Sequence, residues 1–236
     1  MNFAMKIGIL NGGGDCAGLN AVTRAAVKRA EGYGWDVLGI RYGWDGFFRD
    51  NSTTVKLTYK DVHGIVNLGG TILKSSRANP AKRPNGLETV IENSRKLGLD
   101  ALITVGGDDT LRVANELYKR GLRVVGVPKT MDNDLSSTDF TFGFDSAINE
   151  AMHAIDNLKR LLVSGGQLII IHPLGENLEM DKSLIDGTLA FDKKFYLRKI
   201  GGFRWNEVEL EDVRDLKYDS KTPSANGIII AIFKKD

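Results

Sequence analysis

Several scarcities narrow the reading of this 236-residue chain before any motif is considered. Cysteine occurs once, as Cys16, so no disulfide closes within the chain and a disulfide-stapled secreted scaffold is excluded. Five prolines are too few for an extended, proline-rich chain. No apolar run approaches the roughly 20 residues of a membrane-spanning helix, and the opening MNFAMKIGIL meets glycine too soon for a signal peptide. The expected setting is a reducing cytoplasm, with no membrane partner. Net charge is scarce as well: 32 basic and 30 acidic residues leave +2 and are interleaved, so no basic stripe points to nucleic acid. A hydrophobic content of 42 % is enough for one large domain or two small ones.

Glycine, in contrast, is plentiful and placed. KIGIL leads to GGGD, ALITV to GGDD and RVVGV to PKT, so apolar runs of strand length repeatedly end in a small-residue loop. Helical spacing follows the first two, over residues 17–30 and again in LRVANELYKRG, which stops at Gly121 as a helix end does. This alternation predicts an α/β fold, a mainly parallel sheet flanked by helices. Parallel strands joined by helices deliver their following loops to one edge, where such sheets bind ligands. No regular structure is expected from Lys74 to Asn85. Past Arg160 the texture changes. SGGQLIIIHPLGENLEM reads as a turn, a buried strand and a loop, an amphipathic stretch runs to about Ile200, and NGIIIAIFKKD closes as a strand. The reading is therefore a domain over 1–160 and a divergent α/β segment over 161–236 that could complete the same sheet, with the boundary near residues 159–165.

Three loops carry residues suited to chemistry. In ILNGGGDCAGLNAVTR, glycines let backbone amides approach an anion at a helix N-terminus, although a tight turn that binds nothing has the same composition. VGGDDT adds paired acids. Carboxylates beside a phosphate repel it unless a divalent cation lies between, so Asp108 is a candidate Mg²⁺ ligand, with a helix N-cap as its plain alternative. VPKTMDND supplies Lys129, whose ammonium can neutralise a transferring phosphoryl group. It also supplies Asp132 and Asp134, which point the same way if the segment is extended. One of the two can act as general base in phosphoryl transfer; a solvated turn is the bland reading of DND alone.

Taken in order, GGGDCAGLNAVTR, YGWDGF, GGTILKSSR, VGGDDT, PKTMDND and TFGFDSA resemble the phosphofructokinases over residues 5 to about 158. The resemblance implies transfer of a phosphoryl group to the 1-hydroxyl of fructose 6-phosphate. Gly13, Tyr42, Arg77, Gly107, Asp109 and Thr110 would serve the donor site, Asp108 would hold Mg²⁺, and Asp132, flanked by Thr130 and Asp134, would be the base. Lys129 and Arg77 would act on the transferred phosphate. ATP-dependent members typically have glycine at the position of Asp109 and often at that of Lys129. Aspartate and lysine together mark the pyrophosphate type, so this chain resembles that type. Small-molecule substrates are the implied partners, and a homo-oligomer stays open.

The resemblance has departures. Ala17 replaces the usual proline and Lys74 a usual glycine, while LIIIHPLGENLEM lacks the family's arginine-bearing sugar-phosphate motif. From Leu161 the tail faintly resembles the closing strands of class I methyltransferases, and His172, ending a strand, is more simply structural than catalytic. Three readings remain: a shortened pyrophosphate-dependent phosphotransferase, a non-catalytic Mg²⁺/phosphate-binding remnant, and a methyltransferase-like hybrid.

Overall fold

A computed structural model describes residues 4–49, 53–135, 138–174, 178–186, 189–201, 204–213 and 227–235. The chain divides into two compact units, Met1–Ala147 and Ile148–Asp236.

The first unit holds a five-stranded sheet in the order β3-β2-β1-β4-β5. Its strands are β1 (Lys6–Asn11), β2 (Asp36–Ile40), β3 (Thr54–Leu57), β4 (Ala101–Gly106) and β5 (Val124–Pro128). All neighbours are parallel except β2 and β3, which gives the expected mainly parallel sheet. Alternation along β1 explains why both faces are covered: Ile9 joins one buried cluster with Val22 and Val27, and Leu10 joins another with Trp44 and Val113. Helices α1 (Leu19–Glu31), α2 (Tyr59–Val62), α3 (Gly86–Lys96) and α4 (Asp108–Lys119) supply much of that cover. Each fully buried leucine or isoleucine contributes roughly 1.5–3 kcal/mol, so the central strands hold the loops after them on a stiff base. Register sets Asn11 beside Val105 and Gly106 beside Pro128, and the three strands therefore end level along one edge. Residues 74–85 are irregular as expected, save for one 3-10 turn at Pro80–Lys82, where the Asn79 side chain accepts from the Ala81 amide.

The second unit is built differently. Its sheet has the order β6-β9-β7-β8, with β6 (Gln167–Leu174), β7 (Lys193–Gly201), β8 (Arg204–Val208) and β9 (Gly227–Lys234) paired antiparallel throughout. Three expectations are corrected here. The tail does not complete the first sheet; its described strands pair only with one another. The division falls at Ala147, near the start of α5 (Phe144–Leu161) rather than near residue 160, because Met152 and Ile155 of α5 pack with Leu184, Ile229 and Ala231 of the second core. The strand expected to be buried is covered on one face only: Leu168 and Ile170 join the core, whereas Ile169 and Ile171 are 53 % and 65 % exposed. The amphipathic stretch resolves into α6 (Leu178–Ile185) followed by β7. Among the described residues no helix is long and apolar enough to cross a membrane.

Candidate active site

The level strand ends of the first unit open onto a cleft of about 540 Å³. After β1, Gly12 donates to Val105 O at 2.8 Å and Gly13 to Ser76 O at 2.9 Å, which stitches the glycine loop to β4 and to the segment carrying Arg77. Gly13 has φ +85°, a left-handed conformation that a side chain would strain. After β4, Gly107 caps α4 and the two aspartates fall in the helix's first turn. Asp108 is therefore not the N-cap; its carboxylate pairs with Arg112, one turn on, at 2.6 Å. Thr110 is buried, 4 % exposed, and its side chain fills the space that a Cβ at Gly12 or Gly106 would need.

After β5, Lys129 ties the loops together. Its amide donates to Gly106 O at 3.0 Å, and its ammonium donates to Gly14 O at 2.8 Å while being only 4 % exposed. A buried ammonium is costly unless it is hydrogen-bonded or meets negative charge, and only one of its three donors is engaged by Gly14. Asp132 closes a small turn: its amide donates to Thr130 Oγ1 at 3.1 Å, and that hydroxyl lies 3.3 Å from Asp132 Oδ2. Asn133 has φ +51°, so the expected extended segment is a turn instead. Its side chain fixes the turn by accepting from the Thr141 amide at 2.9 Å and donating to Asp139 O at 3.2 Å. Asp132 and Asp134 still both line the cleft, by way of this turn rather than by strand alternation.

Ten of the eleven residues singled out from the sequence line this cleft: Gly13, Arg77, Gly107, Asp108, Asp109, Thr110, Lys129, Thr130, Asp132 and Asp134. Tyr42 does not. Its ring lies under the Arg49 guanidinium, 4.3 Å from the ring centre, and its hydroxyl accepts from Lys74 Nζ at 3.3 Å. Tyr42 and Lys74 both have left-handed backbones, at φ 65° and 57°, a conformation that costs a non-glycine residue roughly 1–2 kcal/mol. Sequence reasoning passed over six other lining residues, among them Asp15 and Cys16, although these two sit inside the glycine motif itself. Burial pushes the Cys16 thiol above its ordinary value, against the smaller opposite pull of Lys129. The lining thus carries five aspartates against Arg77 and Lys129. His172 belongs to the second unit, where its Nε2 lies 3.0 Å from Oδ1 of the buried Asp181.

A phosphofructokinase family profile matches residues 6–178. The chain belongs to the phosphofructokinase family. Similarity runs further than the quoted motifs, past residue 158 and through β6, even though LIIIHPLGEN has no arginine where the family motif carries one. Among curated relatives, a pyrophosphate–fructose 6-phosphate 1-phosphotransferase of Dictyoglomus thermophilum is 46 % identical over 173 residues, 73 % of this chain and 49 % of its own length. An ATP-dependent 6-phosphofructokinase of Streptomyces coelicolor is 45 % identical over 174 residues, 73 % of this chain and 50 % of its own. The Pichia pastoris phosphofructokinase structure superposes with a TM-score of 0.64 at 28 % identity, covering 69 % of this chain and 19 % of that one. The chain spans about half the length of the curated relatives it matches, and relatives named for either donor stand close to it.

Proposed function

We propose that this phosphofructokinase-family chain is a phosphotransferase that moves a phosphoryl group from pyrophosphate to the 1-hydroxyl of fructose 6-phosphate. One observation carries the reading: the Lys129 ammonium donates to Gly14 O of the first glycine loop, in the cleft that Gly107 and Asp132 also line. Phosphoryl transfer asks little covalent chemistry of a protein and much positioning and charge. Backbone amides of the glycine loop beyond Gly13 and of the first turn of α4 after Gly107 would bind the donor, and Lys129 and Arg77 would compensate its charge. Asp132 would take the proton from the attacking hydroxyl, with the Thr130 hydroxyl 3.3 Å from its carboxylate and Asp134 beside it on the acceptor.

Five carboxylates against two cations would repel a polyanion, and hard carboxylate oxygens suit Mg²⁺, so the lining fits a magnesium-bound donor. Asp108, exposed at the head of α4, would hold the ion, and the bound ion would supply charge neutralisation at the phosphates. Pyrophosphate is favoured over ATP for two reasons. Among the described residues no aromatic side chain lines the cleft to stack a base, and Asp109 adds a charge where an α-phosphate would continue. A cytoplasmic setting belongs to the same proposal.

Binding without turnover is a second reading with one observation in its favour. Arg77 and Lys129 are the only cationic side chains among the described lining residues, so a sugar phosphate finds no cationic pair of its own. The methyltransferase reading loses its footing, since the family match itself includes the strand that prompted it. Calorimetric titration of pyrophosphate with and without Mg²⁺, followed by an assay for fructose 1,6-bisphosphate, separates the readings. Mg²⁺-dependent binding with turnover is expected, binding alone supports the remnant, and no binding rejects both.

A further inference from the structure

We propose that Arg112 guards the metal position of the cleft: it occupies Asp108 until magnesium pyrophosphate arrives, so that the ion enters with the donor and not ahead of it. This role rests on the phosphotransferase reading of the same site and adds the order in which the site fills. Asp108 and Asp109 open α4, and both line the cleft. Arg112 follows them by four and three residues, the two spacings that make side chains neighbours on a helix. Its Nη2 donates to Asp108 Oδ2 at 2.6 Å, with the two side chains 69 % and 62 % exposed. The carboxylate placed to hold the ion is therefore already held, by a cation open to water.

Exposure makes this contact exchangeable. An open ion pair one helical turn apart is held weakly, unlike the less exposed Asp45, which is fixed by Arg49 and Arg83 together. A free divalent ion meets two obstacles at Asp108. The guanidinium must first leave the carboxylate, and its charge then stands beside that of the ion. Magnesium-bound pyrophosphate carries net negative charge. Toward that complex the same guanidinium, once off Asp108, becomes a donor to phosphate oxygens, which its planar fork suits. The contribution of Arg112 thus changes sign between the ion alone and the ion with its donor. Lys129 cannot make that exchange, because it is 4 % exposed and its ammonium is tied to Gly14 O.

Two affinities measured on the whole chain test this. Mn²⁺ alone, another hard ion that carboxylates bind, is followed by electron paramagnetic resonance of the free ion, and pyrophosphate in excess Mg²⁺ is followed by calorimetry. Arg112→Gln should tighten Mn²⁺ about three- to ten-fold and weaken magnesium pyrophosphate by a similar factor; Arg112→Lys, which keeps the charge, should shift each less. Both shifts should shrink as salt is raised. In an Asp108→Asn background the gain in Mn²⁺ affinity should vanish, which ties it to this pair and not to the other acids of the cleft. Unaltered circular dichroism would show that these exposed variants fold. Unchanged Mn²⁺ affinity in Arg112→Gln, shifts of the same sign for ion and donor, or a gain that survives Asp108→Asn would each overturn the proposal while leaving the phosphotransferase reading intact. An unmodified protein that binds no pyrophosphate in Mg²⁺ would instead overturn that reading, and the proposal with it.

Discussion

Apolar, isoleucine-bearing strands build both units, but the first pairs them mainly parallel and the second entirely antiparallel. In the first unit every parallel strand runs the same way, so the loops after β1, β4 and β5 all emerge on one edge, where they bring together glycines, paired acids and a lysine. In the second unit neighbouring strands run opposite ways, so β6 and β7 end at one edge of the sheet and β8 and β9 at the other. His172 and Asp181, a part-buried pair of that unit, lie 3.0 Å apart within it. Pairing direction thus decides whether residues far apart in sequence collect into a site, whatever the strands are made of.

Exchanging proton-handling residues tests that contrast most sharply. Asp132→Asn keeps size and hydrogen bonding but removes proton acceptance, and should lower turnover by roughly 10²- to 10⁴-fold with little change in donor affinity. His172→Gln in the second unit should leave turnover within about two-fold, since its partner is a buried carboxylate of its own unit. Equal effects from the two would break the division of labour. A smaller effect belongs to donor choice. Asp109→Gly removes a charge at the head of α4 and should raise the ratio of ATP to pyrophosphate affinity about ten- to a hundred-fold, read by paired titrations; an unmoved ratio would free Asp109 of that role.

The smallest effect concerns how each unit fixes its charged side chains. In the first, Asp45 accepts from Arg49 at 2.7 Å and from Arg83 at 2.8 Å. Burial pushes its carboxyl up, but the two guanidiniums together pull it down further, so it lies below the ordinary carboxylate range. A depressed folded value stabilises above the unfolded value near 4 and is lost as pH falls through the folded one. Asp45→Asn should therefore lower the melting temperature by about 2–4 °C at neutral pH and leave it unchanged in strong acid. In the second unit Lys159 instead lies over Phe191 and Phe233, 4.3 Å and 4.8 Å from the ring centres, and its hold should respond far less to added salt.

The same contrast explains what could be read from the sequence. KIGIL–GGGD and ALITV–GGDD were legible because parallel strands covered on both faces appear as unbroken apolar runs and their ligand loops as glycine and acid. QLIIIHPL gave the same signal for another reason: a run of isoleucines does not reveal that alternate members face solvent, as Ile169 and Ile171 do. The separate second sheet was hidden because pairing partners such as Ile170 and Ala231 lie far apart in sequence. At the site, the left-handed Asn133 makes a turn of the segment whose extension would have set Asp132 and Asp134 on one face, and the contacts of Tyr42 with Arg49 and Lys74 depend on loops whose course no local pattern records.

Thr110, wedged between the first two loops, makes three positions one unit of inheritance. A Cβ at Gly12 would overlap the Thr110 hydroxyl and methyl but would stand 3.2 Å from its Cβ, whereas a Cβ at Gly106 would lie 2.6 Å from the Cβ itself. Trimming Thr110 to alanine thus opens room for alanine at position 12 and none at position 106. A chain drifting through sequence space can change residue 12 only after residue 110 has shrunk, in that order. Residue 106 stays glycine on either side of the step, so mutational tolerance measured one position at a time would report positions 12 and 106 as equally rigid, although one is fixed and the other is coupled to residue 110.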